Sequence, residues 1–247
     1  MRVIGRLDIK NEYLIKGINL EGLRKIGIAK EEALKYYNAG IDEMVYIDSV
    51  ASLYSRNAIF NILQDSVKSI FVPITVGGGI KDISDALNYF ENGADKIFIN
   101  TASIENPDVI NELVDYFGSA NITLSIEAKE ISNNTFNAYT SSGRDDSNKE
   151  VCEWIKEATD RGIGEVFLTS VDNDGLQSGF NKVLIDQAIE AARVPIIISG
   201  GFGELSHLEV LSNEVAGVAI GSSLHYKKIT IPEIKEKLLS LGFDTRQ

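Results

Sequence analysis

The chain has 247 residues, a length that fits one α/β barrel and exceeds that of most other single domains. Hydrophobic residues make up 44% of it, enough for a full core, yet no segment approaches the roughly 18 apolar residues that cross a bilayer. The formal net charge of −12 argues against generic binding to nucleic acids or anionic membranes, so an anionic ligand must be held by local groups.

The single cysteine, Cys152, has no partner for an internal disulfide, which fits a reducing compartment. The first residues show no charged leader followed by an apolar segment, so we expect a cytoplasmic protein. His207 and His225 lie apart from each other and from Cys152. The sequence therefore predicts no metal site and no cofactor.

Short apolar runs alternate with longer segments of helical period along the chain. The runs predict strands near residues 2–8, 43–48, 70–76, 95–100, 121–127, 165–170, 194–199 and 216–221. Apolar residues spaced three and four apart predict amphipathic helices over residues 31–39, 83–92 and 150–160. Eight strand–helix alternations predict a single domain, residues 1–247, with the α/β fold of a (β/α)8 TIM barrel rather than an open, doubly wound sheet.

Glycines and one irregular segment mark the connections between these elements. Gly40, Gly93 and Gly164 follow helical segments and predict helix exits before the next strand. Residues 129–149 predict an insertion after the fifth strand, with a short hairpin of its own. Insertions on that face of a barrel shape active sites.

Two parts of the sequence resemble each other and predict two similar half-barrels. Residues 73–79 (PITVGGG) align with residues 195–201 (PIIISGG), and the same offset pairs residues 99–101 (INT) with residues 221–223 (GSS). Glycines and hydroxyls therefore fall twice at strand ends, where the chemistry of barrels is located.

The repeated glycines predict two phosphate sites. Because glycine lacks a Cβ atom, a phosphate can approach the backbone N–H groups closely, and polar side chains at neighbouring strand ends add further donors. Sites on opposite sides of the barrel mouth predict an elongated ligand with a phosphate at each end. The predicted groups are Gly77–Gly79 with Asn100 and Thr101, and Gly200, Gly201 and Gly203 with Ser222 and Ser223.

Two carboxylates are expected to face each other between these sites. Asp8 ends the first predicted strand and Glu127 ends the fifth. A carboxylate pair in a partly desolvated cavity can split its pKa values and serve as acid and base. Asp174 adds a carboxylate on the same rim, and Lys16, in the loop after the first strand, is either a solvated charge or a phosphate clamp.

Seven strings carry a family resemblance, in order and over nearly the whole chain: LDIKNEYLIKGINLEGLR, DEMVYIDSVAS, ITVGGGI, GADKIFINTA, GEVFLTSVDNDG, IIISGGFG and GSSLHY. They resemble the cyclase subunit of imidazole glycerol phosphate synthase, the HisF family. The resemblance implies an enzyme of histidine biosynthesis that receives ammonia through the barrel from a glutaminase partner. Such an enzyme adds the ammonia to a bis-phosphorylated ribulosyl aminoimidazole carboxamide and releases imidazole glycerol phosphate and the carboxamide ribotide.

The resemblance also implies roles for residues at both ends of the barrel. Asp8 matches an acid/base aspartate, Glu127 stands at the second carboxylate position, and Lys16 matches a lysine of the first loop. Substrate and phosphate binding is implied for Gly79, Asn100, Thr101, Asp174, Gly175, Gly201, Gly221 and Ser222. On the N-terminal face, the residues that match a ring of charges at the ammonia entrance are Arg2, Glu43, Lys96 and Glu165, and Asp95 matches a carboxylate of the glutaminase interface.

Departures from the family pattern cluster at the reactive end. Glu127 replaces an aspartate, Arg6 a cysteine and Leu176 a threonine, and residues 49–52 and 144–147 also differ. These changes keep open a paralogue that supplies ammonia for acetamidino-sugar formation in surface polysaccharides. A non-catalytic scaffold that activates a glutaminase is the other alternative, and the Asp8–Glu127 pair weighs against it.

Overall fold

The computed structural model describes residues 1–49 and 57–246. In chain order its strands are β1 (Arg2–Lys10), β2 (Tyr13–Ile18), β3 (Glu21–Ile28), β4 (Glu43–Asp48), β5 (Ile74–Gly77), β6 (Lys96–Ile99), β7 (Ile122–Ser132), β8 (Thr135–Thr140), β9 (Asp145–Glu150), β10 (Glu165–Ser170), β11 (Ile196–Ser199) and β12 (Val215–Ile220). The helices are α1 (Ala29–Asn38), α2 (Asn57–Ser66), α3 (Ile83–Glu91), α4 (Thr101–Glu105), α5 (Asp108–Phe117), α6 (Val151–Asp160), α7 (Lys182–Ala191), α8 (Ser222–His225) and α9 (Ile231–Ser240). Within the described ranges, none of these helices has the length and apolar character needed to cross a membrane.

Eight strands close into a parallel barrel in the order β1, β4, β5, β6, β7, β10, β11 and β12, with β12 pairing back onto β1. Helices lie between successive barrel strands, except that a 3-10 helix, Leu205–Val210, connects β11 to β12. The predicted (β/α)8 barrel is therefore confirmed. Each barrel strand overlaps one of the predicted apolar runs because parallel strands covered on both faces are apolar along their length.

Alternating residues of β1 supply two separate cores. Ile4 packs inside the barrel, whereas Val3 and Leu7 pack outward against the helices. The interior cluster consists of Ile4, Val45, Phe98, Phe167, Ile197 and Ala219. Because side chains alternate along a strand, Arg2, Arg6 and Asp8 share the inward face with Ile4. This alternation places charges at both ends of an apolar barrel interior.

Each half of the barrel carries an antiparallel hairpin after its first strand. β1 continues into β2 and β3, and β7 continues into β8 and β9. The hairpin predicted within residues 129–149 is confirmed. The β2–β3 hairpin was not predicted, because most of β3 is exposed and has no apolar periodicity. Lys16 consequently lies on a strand, β2, and the prediction of a loop at this position was wrong.

Two of the three predicted helix exits are confirmed. Gly40 and Gly93 follow α1 and α3 with φ angles of +86° and +105°, a left-handed conformation that favours glycine. After α6 the prediction was wrong by two residues, because Gly162 adopts the left-handed conformation, with φ of +101°. Gly164 instead lies directly against the backbone of Ser119.

We expect Gly164→Ala to destabilise the fold. A Cβ atom at this position would overlap the carbonyl group of Ser119, so the backbone has to shift. Overpacking of this kind lowers the free energy of unfolding by about 1–3 kcal/mol. Chemical denaturation measures the change, and Gly27→Ala is the matched control because its Cβ would meet only the Glu32 side chain, at 3.5 Å. Equal losses in the two variants would contradict the prediction.

Candidate active site

The carboxyl ends of the barrel strands bring the two predicted carboxylates to the same mouth. Asp8 lies near the end of β1 and is only 5% exposed. Glu127 lies on β7, which begins the second half of the barrel, and is partly buried. Asp8 contacts two cations, whereas Glu127 accepts hydrogen bonds from an amide and a backbone N–H group. The two carboxylates therefore have different pKa values.

Asp8 belongs to a closed ring of four buried charges. Lys16 Nζ lies 3.2 Å from Asp8 Oδ2 and 2.6 Å from Asp174 Oδ2. Arg6 Nε lies 3.0 Å from Asp8 Oδ1, and Arg6 Nη1 lies 3.6 Å from Asp174 Oδ1. Each cation therefore contacts both carboxylates. Since buried charges persist only when they are paired, the balance of two positive and two negative groups stabilises the ring.

The pKa values of Asp8 and Glu127 move in opposite directions. Burial alone would raise the pKa of Asp8, but Arg6 and Lys16 outweigh it and lower the pKa to about 2. Burial raises the pKa of Glu127 to about 7, against the opposing influence of Arg6 and of the Gly143 N–H group. One carboxylate is thus ionised near neutral pH, and the other exchanges a proton there.

Glu127 is held by the first half of the barrel and by the β8–β9 turn. Its Oε2 accepts hydrogen bonds from Asn100 Nδ2 at 3.1 Å and from the Gly143 backbone N at 2.8 Å. Asn100 Nδ2 also donates to the Tyr139 carbonyl oxygen, at 3.2 Å. The buried Asn100 Oδ1 has no hydrogen-bond partner. Buried polar atoms normally have partners, so Asn100 offers an acceptor to a ligand in the mouth.

Residues predicted for the second phosphate site line one pocket beside the charge ring. The pocket is shallow and open to solvent, and Arg6 is part of its lining. Gly201 has a φ of +108°, and a Cβ atom there would overlap the Gly179 carbonyl oxygen, so the close backbone approach requires glycine. The predicted residues brought together are Asp174, Gly175, Gly201, Gly221 and Ser222.

The predicted residues of the first phosphate site follow β5 and β6. Gly79 has a φ of +64°, and Asn100 immediately precedes α4. Thr101 begins α4, and its Oγ1 accepts a hydrogen bond from the Ser141 backbone N at 3.3 Å. Ser141 belongs to the β8–β9 turn, so the predicted insertion contacts this site as well as Glu127.

The β2–β3 hairpin covers the mouth of the barrel. The Asn19 backbone N donates to the Asp174 carbonyl oxygen at 2.8 Å, and Asn19 Nδ2 donates to the Asp172 carbonyl oxygen at 3.1 Å. Beneath the hairpin, Lys16 is only 3% exposed. The alternative of a solvated charge at Lys16 was therefore wrong, and its role as a phosphate clamp stays a prediction.

The four charges predicted at the N-terminal end of the barrel form a second ring. Arg2 Nη1 lies 2.7 Å from Glu43 Oε2, and Arg2 Nη2 lies 2.5 Å from Glu165 Oε1. Lys96 Nζ completes the ring at 3.0 Å from Glu165 Oε2 and 3.6 Å from Glu43 Oε1. Their charges alternate in sign at the end of the barrel opposite Asp8.

Asp95 lies at the same end and is exposed. Its Oδ2 accepts a hydrogen bond from the Ile74 backbone N at 2.8 Å, at the start of β5. Asp42 Oδ2 likewise accepts a hydrogen bond from the Val3 backbone N, at 2.8 Å, at the start of β1. Asp95 therefore stabilises a strand start.

Arg6 departs from the family pattern, and the sequence predicts a cation beside Asp8 that lowers the pKa of this carboxylate or pairs with a substrate anion; the structure confirms the contact with Asp8. Arg6 Nη1 also donates to Thr169 Oγ1 at 3.3 Å and to Ser199 Oγ at 3.1 Å. Strand alternation indicates this position from the sequence. Residues two apart on a strand face the same side, so Arg6 lies beneath Asp8.

The other departures are spread over the rim. Leu176 is 49% exposed. Within residues 144–147, Asp146 Oδ1 accepts a hydrogen bond from Asn137 Nδ2 at 2.9 Å, which ties β9 to β8. The differing residues 50–52 lie outside the described ranges.

Comparison with known proteins agrees with this geometry. The family model "Histidine biosynthesis protein" matches residues 2–230. The imidazole glycerol phosphate synthase subunit HisF of Legionella pneumophila is 44% identical over 83% of this chain and 97% of its own length. The HisF subunits of Helicobacter hepaticus and Bacillus cereus (strain ATCC 10987 / NRS 248) are 39% and 36% identical, each over 99% of this chain and 98% of the relative. The chain therefore belongs to the histidine biosynthesis protein family, within its HisF branch.

Proposed function

We propose that the chain is the cyclase subunit of an imidazole glycerol phosphate synthase. It adds ammonia to a bis-phosphorylated ribulosyl aminoimidazole carboxamide and releases imidazole glycerol phosphate and the carboxamide ribotide. The observation that carries the proposal is the carboxylate pair with pKa values of about 2 and about 7, in a barrel mouth with glycine-bearing strand ends in both halves. The relatives named imidazole glycerol phosphate synthase subunit HisF match this chain over nearly their whole lengths.

The two carboxylates divide the chemistry. When ammonia adds to a carbonyl carbon and the oxygen leaves as water, nitrogen loses protons and oxygen gains them. Glu127, with a pKa of about 7, gives and takes these protons with little free-energy penalty. Asp8 remains ionised and stabilises the positive charge that develops on nitrogen.

The two glycine-bearing sites hold the ends of the substrate. Gly79, Asn100 and Thr101 bind one phosphate through backbone N–H groups and the Thr101 hydroxyl, and Gly201, Gly221 and Ser222 bind the other. Asp174 and Gly175 contact the substrate between the two phosphate sites. Lys16, on the covering β2–β3 hairpin, supplies positive charge. The pocket beside Gly201 supports the second of these sites, and the unpartnered Asn100 Oδ1 can accept a hydrogen bond from an N–H or O–H group of the substrate.

The direct test is steady-state formation of imidazole glycerol phosphate from the bis-phosphorylated substrate with ammonium as the nitrogen source. We expect turnover by the wild type and a severe loss in Asp8→Asn, which removes the ionised carboxylate. Turnover by the wild type would exclude the sugar-amidinating and scaffold alternatives. An inactive wild type would contradict the proposed function.

We further propose that a glutaminase subunit docks on the N-terminal face and delivers ammonia through the barrel. The support is the alternating ring of Arg2, Glu43, Lys96 and Glu165, the exposed Asp95 nearby, and the word "subunit" in the names of the HisF relatives. We also propose that residues 1–247 act as one domain in the cytoplasm, which the single cysteine supports.

Lys96→Met is expected to uncouple glutamine use from the cyclase reaction. The change opens the charge ring at the entrance but leaves the far mouth unaltered. Glutamine-dependent turnover should fall about tenfold, which corresponds to roughly 1.4 kcal/mol at the entrance. Turnover with free ammonium should stay near the wild-type value. Both rates are measured on the reconstituted complex.

Two variants accompany this measurement. Lys96→Arg keeps the charge and should retain glutamine use. Lys30→Met removes an exposed lysine from α1, where Lys30 pairs with Asp65, and should affect neither rate. Equal loss with both nitrogen sources in Lys96→Met would show that the ring only supports the fold.

A further inference from the structure

The arginine beneath Asp8 connects three barrel strands across the interior. From β1, Arg6 reaches Thr169 on β10, Ser199 on β11 and Asp174 in the loop after β10. On the same strand its neighbours on the inward face are the apolar Ile4 below and Asp8 above. The guanidinium therefore lies between the apolar barrel interior and the reactive end.

Arg6 also decides the charge of the ring. Without it, one lysine would face two buried carboxylates, and one negative charge would have no full partner. An unpaired buried carboxylate binds a proton, because burial disfavours its charged form.

Within the described residues, several ionisable groups surround Asp8. They are Arg6 on its own strand, Lys16 on β2, Glu127 on β7, Asp174 after β10 and His225 on α8. Asp48 ends the adjacent strand β4, in register with Ile9. Burial lowers the pKa of His225 to about 3, so this side chain is neutral above that pH. Arg6 and Lys16 are the groups that hold Asp8 ionised.

We propose that Arg6 is a positioning residue of this enzyme: by closing the ring it keeps Asp8 an ionised, oriented carboxylate and leaves proton transfer to Glu127. The catalytic part of this inference rests on the proposed function. Two bonds fix the orientation, since Arg6 Nε and Lys16 Nζ contact different oxygens of Asp8. Thr169 and Ser199 in turn hold the guanidinium.

Carboxyl 13C NMR of the protein alone tests the first half of the inference. The Asp8 signal, assigned by its loss in Asp8→Asn, should not titrate in the wild type between pH 4 and 9 (about the range in which buried carboxylates move). In Arg6→Met it should titrate about 1–3 pH units higher than in the wild type, the shift that an opposite charge at this distance produces. Arg6→Lys should restore most of the wild-type behaviour. Titration of wild-type Asp8 above pH 4 would overturn the inference even if Arg6→Met does not fold.

Steady-state kinetics with free ammonium tests the second half. In Arg6→Met, the loss of kcat relative to the wild type should be larger at pH 5 than at pH 8, because an Asp8 that titrates about 1–3 units above its wild-type pKa of about 2 starts to lose its charge there. KM for the bis-phosphorylated substrate should change less than kcat. Arg6→Lys should regain the wild-type pH profile, and Arg193→Met, at an arginine whose side chain is 80% exposed, should match the wild type throughout.

Arg6 also lines the pocket of the predicted second phosphate site, so the experiment has to distinguish phosphate binding by Arg6 from its effect on Asp8. If Arg6 acted by binding phosphate, Arg6→Met would raise KM while the Asp8 titration and the pH profile stayed unchanged. That result would overturn the inference. An inactive wild type with the expected Asp8 titration would contradict the proposed function and, with it, the catalytic half of the inference, but not the effect of Arg6 on Asp8.

Discussion

Glu127→Gln should lower ammonia-dependent kcat by about 100- to 10,000-fold, the usual contribution of a positioned proton-transfer group. The amide preserves the size of the side chain and can still accept hydrogen bonds from Asn100 and Gly143, but it cannot exchange a proton. Formation of imidazole glycerol phosphate measures the effect. The fold should be unaffected, because the raised pKa shows that the neutral form of Glu127 is already well accommodated.

Two further variants give this result its meaning. Glu127→Asp restores the family's residue and should retain turnover, since a carboxylate remains at the same strand position. Glu130→Gln changes an exposed glutamate further along β7, whose Oε1 accepts a hydrogen bond from the Asn134 backbone N, and should leave kcat unchanged. Full activity of Glu127→Gln would show that the proton is transferred by another group.

Ser222→Asp and Thr101→Asp should each weaken binding of the bis-phosphorylated substrate by about 100- to 1,000-fold. Like charges about 4 Å apart near a protein surface repel by up to about 4 kcal/mol, and each new carboxylate would face a bound phosphate. Ser222 begins α8 and Thr101 begins α4, where the backbone N–H groups of a helix start favour an acidic side chain.

Calorimetric titration with the substrate measures both affinities. Ser222→Asn and Thr101→Asn are the matched controls, because they have the same shape without the charge. The two acidic variants report on different ends of the ligand, so the double variant should abolish measurable binding. An acidic variant that binds as tightly as its asparagine control would remove the phosphate site at that end.

Local sequence patterns determined the barrel. Strands buried on both faces have to be apolar throughout, and the helices that cover them have to be apolar on one side. These demands act over a few residues, so β4, β10 and α3 were visible without any tertiary information. The same holds for the entrance ring, because Glu43 and Glu165 each begin a barrel strand and the starts of parallel strands meet at one end.

Tertiary structure alone decided how the charges at the mouth are paired. Arg6 contacts Thr169 and Ser199, 163 and 193 residues away in the chain, and no spacing rule connects them. The sequence predicts a loop at Lys16 because the covering hairpin has little apolar periodicity, yet that hairpin buries Lys16 against Asp8. Alternation along a strand indicates which side chains face inward. Their protonation depends on desolvation and on charges brought close by distant segments, and these exist only in the folded chain.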